Sequence, residues 1–171
     1  MEVRVITQVI SIINSTKIID AKSGGEILFK QGHYSTPQSG RTHFQKLANN
    51  LVALGKIERC DGFYRTLDCK SEYGEHARLL TSCLAEILKL PLTTVIYREI
   101  SIPIGLRADA LVLCREENEG LCFVLEVAHT ETHDYLRRKL EAWRNFKDAK
   151  AFLTETFGIP IKSYGFAVSG K

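Results

Sequence analysis

Two acidic residues, Asp109 and Glu126, carry the clearest chemical signal in this sequence. Asp109 comes directly before an apolar run at residues 110–114, and Glu126 comes directly after another at 121–125. The spacing of 17 residues suits a hairpin with a short turn, so both carboxylates would fall at the same end of neighbouring strands. Two carboxylates arranged in this way can hold a hard divalent cation such as Mg²⁺ beside a phosphodiester.

The elements that must position this pair follow from the hydrophobic periodicity of the second half of the chain. The pattern predicts a helix, three strands, a long helix with a break near residues 146–148, and a last strand. The predicted ranges are 75–88, 94–102, 106–114, 121–128, 131–157 and 163–169. This order indicates an α/β sandwich around a mixed sheet.

This element order resembles the PD-(D/E)XK nuclease fold, in which an aspartate on the second strand and a glutamate on the third bind Mg²⁺. The resemblance implies that Asp109 and Glu126 are metal ligands and catalytic residues, with Mg²⁺ as the candidate cofactor. The fold's usual lysine, two residues after the glutamate, is Ala128 in this chain.

A substitute for that lysine is offered by the predicted long helix. Lys139 and Tyr135 share a stripe that borders the apolar stripe of Leu136 and Trp143, so Lys139 can lean inward as a catalytic residue. The alternative is that Lys139 extends over apolar surface to reach water. Arg138 falls on the outer face, where we expect a solvated ion pair at i,i+4.

Further polar residues surround the same region. His129 and His133 are weaker metal candidates, because a single histidine near a strand end more often forms a hydrogen bond or cap. His76 is expected on the helix face that packs against the sheet. Glu72 or Glu75 offers an additional carboxylate, although solvated glutamates at a helix start explain both equally well.

The first half of the chain predicts three helices followed by a β-hairpin. Residues 3–14 and a shorter segment ending near Phe29 form the first two candidates, although 3–14 also suits a strand. The third helix, 39–54, has the clearest apolar stripe, and Asp61-Gly62 is a strong hairpin signal. Three helices and a two-stranded ribbon are typical of the winged helix-turn-helix.

Polar side chains decorate the predicted third helix and hairpin. They carry hydrogen-bond donors and amide groups that can bind base edges and phosphates. This predicts double-stranded DNA as a partner. The candidate DNA-binding residues are Arg41, Thr42, His43, Gln45, Lys46, Asn49 and Asn50 on the helix, and Arg59 and Arg65 on the hairpin. Exposed polar residues are also common on any helix, and many winged helices bind protein. A homodimer is compatible with this architecture, since such proteins commonly read paired half-sites.

Composition narrows the class of protein. The 171 residues are 44% hydrophobic, enough for a real core. Residues 1–70 carry a net charge of +4 and residues 71–171 a net charge of −1, so the first half is the better polyanion-binding candidate. We expect a cytoplasmic protein without a membrane partner, because no apolar run suits a bilayer or a signal peptide. The five scattered cysteines predict reduced thiols.

Taken together, several segments resemble the replication-relaxation family, whose members are found on plasmids, phages and other mobile elements. The resemblance spans nearly the whole chain and is carried by residues 107–111, 123–127 and 130–143. Ala108 stands where proline is usual in that family, and Ala128-His129 replaces the Asp-Arg that often follows the glutamate. The family's fold implies an α+β protein with a winged helix-turn-helix over 1–70 and a PD-(D/E)XK nuclease-like domain with a mixed central sheet over 71–171.

Three functions are compatible with these patterns. The first is a DNA-binding protein of a mobile element, acting in DNA replication and relaxation as a Mg²⁺-dependent nickase or endonuclease. The second is a catalytically inactive replication or transcription regulator whose nuclease-like domain mediates dimerisation or partner binding. The third is a protein-interaction module without DNA contact. The basic first half favours DNA binding over the third, whereas Ala128 leaves the first two open.

Overall fold

The computed structural model describes residues 2–69, 75–90, 93–116, 118–128 and 131–170. Within these ranges the chain is an α+β protein with six helices and seven strands. The helices are α1 (Glu2–Thr16), α2 (Ala21–Lys30), α3 (Pro37–Ala53), α4 (Glu75–Leu88), α5 (His133–Asn145) and α6 (Ala149–Phe157). The strands are β1 (Ile18–Asp20), β2 (Ile57–Cys60), β3 (Phe63–Thr66), β4 (Thr93–Ile102), β5 (Leu106–Glu116), β6 (Glu119–Ala128) and β7 (Ile161–Gly170).

The chain divides into two compact units, Met1–Pro91 and Leu92–Lys171. Helix α4 belongs to the first unit, where it contacts α1 and α2. Gln31 Nε2 donates a hydrogen bond to the carbonyl of Leu88 at 3.0 Å, and Lys89 pairs with Glu26 at 2.9 Å. The unit boundary therefore lies after residue 91, whereas we predicted it at residue 70 with α4 in the second domain. These contacts are long-range, so the periodicity of α4 could not reveal them.

In the first unit, α1, α2 and α3 accompany a three-stranded antiparallel sheet of order β1-β3-β2, whose first strand lies between α1 and α2 in the chain. The three predicted helices and the hairpin are confirmed, and the β2–β3 turn contains Asp61 and Gly62, both with positive φ. Strand β1 was not predicted. It is three residues long, and only its pairing with β3 makes it a strand.

The position of α3 is fixed by an unusually close approach to α2. A Cβ added to Gly40 of α3 would lie 2.4 Å from the carbonyl oxygen of Gly25 in α2. Only glycine at both positions lets the two backbones come this near. The start of α3 is held by Thr36, which accepts a hydrogen bond from the backbone of Ser39 at 3.1 Å in a capping box.

The second unit contains a four-stranded mixed sheet of order β4-β5-β6-β7. The β4–β5 and β5–β6 pairs are antiparallel, whereas β7 runs parallel to β6 after the α5–α6 crossover. The predicted mixed sheet and the helix break near residues 146–148 are confirmed. Core residues from the sheet and from both helices, including Leu111, Val124, Trp143 and Leu153, form one buried cluster.

The thiols and the lengths of the helices bear on two broader expectations. All five cysteines are free thiols, and Cys114 and Cys122 are buried. In the described part of the chain, no helix has both the length and the apolar character needed to cross a bilayer.

Candidate functional site

The strand register brings Asp109 and Glu126 to the same place on the sheet. The β5–β6 ladder runs through Leu111 opposite Val124 and Ala110 opposite Leu125, so one further step sets residue 109 opposite residue 126. Because Leu111 and Val124 belong to the core shared with α5 and α6, alternation turns Asp109 and Glu126 toward the same helical layer.

Asp109 is held in place by the neighbouring strand. Its Oδ2 accepts a hydrogen bond from the backbone N–H of Val127 at 2.8 Å. A side-chain oxygen thus bonds a β6 amide just beyond the Ala110–Leu125 pair of the β5–β6 ladder, and this bond orients the carboxylate. Sequence reasoning missed this contact, since no pattern identifies a backbone amide as the partner of a strand aspartate.

Lys139 reaches this pair from α5. Thr132 caps the helix by accepting from the backbone N–H of Tyr135, and buried Trp143 anchors it to the core one turn after Lys139. Lys139 is 6% exposed, and its Nζ donates to Glu126 Oε2 at 2.5 Å. The inward orientation expected from the helical stripe is therefore observed, and the alternative of a lysine that reaches for water is not.

The three side chains line one cavity of about 140 Å³. Arg107, Glu131 and Tyr135 complete much of its wall. At the rim, Arg107 donates to Glu99 at 2.6 Å and remains largely exposed. Tyr135 is 49% exposed, and Lys139 Nζ lies 5.5 Å from the centre of its ring. The cavity is thus acidic at its base, with one buried ammonium and an aromatic ring toward solvent.

Burial sets the electrostatics of Glu126, which is only 2% exposed. Burial raises the pKa of Glu126 to about 7; the Lys139 ammonium opposes this rise, and the nearby Asp109 carboxylate adds to it. Among the described residues, Glu126 Oε1 has no hydrogen-bond partner. A buried carboxylate oxygen without a partner is costly, so this atom suits a proton or a cation ligand.

The donor set can be compared with the requirements of Mg²⁺. Two carboxylates converge, and an unpartnered oxygen of one of them is available. No group of three His, Cys, Asp or Glu side chains suited to a metal occurs in the described ranges. Because Mg²⁺ usually keeps several waters and binds through one or two carboxylates, Asp109 and Glu126 fit this ion.

The other candidates from the sequence are histidines and glutamates that lie on several elements or outside the described residues. His133 is exposed at the first position of α5. His129 and Glu72 lie outside the described residues, as does the side chain of Glu75. His76 lies on α4, which packs on α1 and α2. On the outer face of α5, the ion pairs seen among described residues are made by Arg137, with Asp134 and Glu141, and not by Arg138 as predicted.

The candidate DNA-binding residues form two groups, those without an ion pair to a described residue and those that bond to other residues of the first unit. Arg41, Lys46 and Arg59 are exposed and make no ion pair with any described residue. By contrast, Arg65 donates to Glu58 at 2.8 Å, and Asn49 accepts from the Tyr64 hydroxyl at 2.8 Å. These last two side chains are therefore occupied within the unit.

The other candidates on α3 are more variable in exposure. Thr42 is exposed and donates to the carbonyl of Gln38 at 3.1 Å. Gln45 is half-buried, and Asn50 is exposed. His43 is exposed and stacks on Tyr34, with ring centres 4.7 Å apart. The exposed face of α3 is thus cationic at Arg41 and Lys46, and aromatic at His43.

The raised pKa of Glu126 predicts a specific pH dependence. The native state holds the proton more tightly than the unfolded chain, so this stabilisation is complete below about pH 4.5 and is lost as the pH rises through about 7. In ¹³C NMR titrations, we expect a Glu126 midpoint near 7. Between these pH values, the free energy of unfolding should fall by about 1–3 kcal/mol more in the wild type than in Glu126→Gln.

Glu141→Gln, which alters an exposed carboxylate on α5, is the matched control and should keep the wild-type pH dependence. A Glu126 midpoint below 5, together with parallel stability curves for wild type and Glu126→Gln, would contradict the raised pKa.

Comparisons with known proteins add no relative. No protein-family model, curated protein or solved structure matches this chain. The resemblance to the replication-relaxation family therefore stays a prediction, and the geometry of Asp109, Glu126 and Lys139 is the principal evidence on function.

Proposed function

We propose that this chain is a DNA-binding protein whose second unit cuts or nicks a DNA phosphodiester bond with Mg²⁺. One observation carries the proposal: Lys139 Nζ bonds Glu126 at 2.5 Å in the cavity that Asp109 also lines. The lysine absent at position 128 is thus replaced by one that arrives from a helix. Two carboxylates and a lysine around one cavity are the side chains that metal-assisted phosphodiester hydrolysis uses.

Each residue has a distinct role in this proposal. Asp109 and Glu126 would hold the cation, Asp109 in the orientation set by the Val127 amide. When bound, Mg²⁺ polarises a phosphate oxygen and lowers the pKa of water. The Lys139 side chain would lie beside the phosphate, where negative charge develops, and its shielding from water would strengthen that interaction. Tyr135 and Arg107 border the opening through which a backbone would approach.

The first unit would deliver the DNA. Three helices followed by a hairpin support a winged helix-turn-helix, in which the third helix enters the major groove. Arg41 and Lys46 project from the exposed face of α3, and Arg59 from the hairpin. Cations that make no ion pair with any described residue are available to phosphates. The setting would be the replication or relaxation of a mobile element's DNA, as the family resemblance implies.

A second candidate function is supported by the same ion pair. With a pKa of about 7, Glu126 is only partly ionised at neutral pH, and its Oε2 is already bound by Lys139. Both facts weaken cation binding. They favour a catalytically inactive replication or transcription regulator that keeps the DNA-binding unit and uses the second unit for dimerisation or partner binding.

Cleavage separates the two candidates. We expect supercoiled plasmid to be nicked in Mg²⁺ or Mn²⁺, and Asp109→Asn and Glu126→Gln to reduce nicking to background because each removes a ligand. Lys139→Met keeps the aliphatic stem, and it should slow nicking by about a hundredfold, the usual cost of losing one charge-stabilising group.

Controls for this assay come from exposed residues of the same unit. Lys150→Met and Glu141→Gln should nick at the wild-type rate, and circular dichroism should show that every variant is folded. If folded wild-type protein leaves supercoiled and linear DNA intact in both cations, the nuclease proposal fails and the regulator remains.

Duplex binding tests the first unit by itself. Fluorescence anisotropy with a labelled duplex should show affinity that falls as salt rises, because bound cations release counterions from phosphates. Arg41→Ala combined with Lys46→Ala should lower the slope of log affinity against log salt by about 2, or roughly 0.9 for each lost contact. Lys30→Ala, an exposed charge on α2, is the control. Unchanged affinity and slope in the double variant would exclude α3 as the DNA-contacting element.

A further inference from the structure

A second cavity, of about 290 Å³, lies in the first unit. It is lined from three sides, by α1, by the segment between α2 and α3, and by α3. Its apolar wall includes Val5 and Leu47, both buried. The volume is at the lower end of the range of about 300–1,000 Å³ that is typical of small-ligand sites, and an apolar wall with a few polar groups is their usual lining.

Aromatic rings form another wall. Tyr34 and His43 both line the cavity and stack on each other, with ring centres 4.7 Å apart and planes 21° from parallel. A third planar ring placed in the cavity can extend this stack. Stacking on aromatic side chains is the sequence-tolerant way in which proteins hold nucleobases.

Polar groups stand at the same opening. Lys46 and Asn50 line the cavity from α3, and both are exposed. They lie three and seven residues after His43, so the three side chains share one face of the helix. Lys46 makes no ion pair with any described residue, and the Asn50 amide offers both a donor and an acceptor. An anionic group and a base edge can thus be bound beside the rings.

We propose that this cavity is a nucleotide site that takes one unpaired base, with its phosphate on Lys46. One face of the base would stack on the Tyr34–His43 pair, its other face would meet Val5 and Leu47, and its polar edge would meet Asn50. The base must be unpaired, because in a duplex both faces of every internal base are already covered by neighbours. The proposal rests on the nucleic-acid-binding part of the proposed function, and it adds single-stranded DNA to the substrate class.

The test uses the full chain and fluorescence anisotropy with labelled oligothymidylate. Unlabelled thymidine 5′-monophosphate should displace the oligomer, and deoxyribose 5-phosphate, which lacks the base, should be at least about tenfold weaker as a competitor. His43→Ala and Lys46→Ala should each weaken oligothymidylate binding by about tenfold, because one removes a stacking ring and the other a phosphate partner. Both residues are exposed, so the fold should tolerate the changes.

Lys30→Ala, which removes an exposed charge that does not line the cavity, should bind like the wild type. Equal competition by the nucleotide and by the sugar phosphate, or wild-type binding by His43→Ala, would overturn the proposal. Binding of thymidine 5′-monophosphate by titration calorimetry, together with failure to bind any oligomer, would identify a site for free nucleotides and would overturn its assignment to single strands. Duplex binding and plasmid nicking are measured in separate assays. A failure of the proposed function is therefore distinguishable from a failure of the nucleotide site.

Discussion

The buried ion pair between Glu126 and Lys139 is the contact on which the second unit's site depends. Removing a carboxylate and an ammonium from water costs on the order of several kcal/mol per ion, and mutual attraction offsets this only when the geometry is good. Neither residue is more than 6% exposed. Each side chain therefore needs the other in order to be buried, and their ion pair joins strand β6 to helix α5. Asp109, fixed by the Val127 amide, then adds a second carboxylate to a cavity whose position is already determined.

Both units use rigid elements to present their polar groups. In the second unit the carboxylates lie on adjacent strands of a sheet, and the lysine lies on a helix that is capped by Thr132 and anchored by Trp143. In the first unit, the close contact between Gly25 and Gly40 sets the distance of α3 from α2. The exposed face of α3 is positioned by that packing, and the α3 wall of the 290 Å³ cavity lies on the same helix. Side chains held by such elements need little reorganisation to bind a charged ligand.

Much of the fold and of the candidate site could be predicted from the sequence. The features that could not be predicted share a physical cause. Helices α3 and α5 and strands β5 and β6 follow from local periodicity. The helical stripe allows Lys139 to point inward but leaves open the alternative that it reaches for water, and only the fold decides between them. Strand β1 and the membership of α4 could not be predicted, because both depend on contacts with residues far away in the chain. The contacts of Arg65 and Asn49 could not be predicted either. The sequence shows only that both residues are polar, whereas in the structure Arg65 bonds to Glu58 and Asn49 bonds to Tyr64. Tyr34 stands in a polar loop, and nothing in its neighbourhood signals the stack with His43.

The central claim is that Asp109 and Glu126 form a cation site next to a lysine that is already bound to one of them. Its most direct test is anomalous diffraction from crystals soaked in Mn²⁺, an ion that shares the oxygen ligands of Mg²⁺. The account predicts an anomalous peak within bonding distance of both Asp109 and Glu126 Oε1, with Lys139 still beside Oε2. A well-ordered cavity in which Lys139 remains on Glu126 and no peak appears at saturating Mn²⁺ would contradict it.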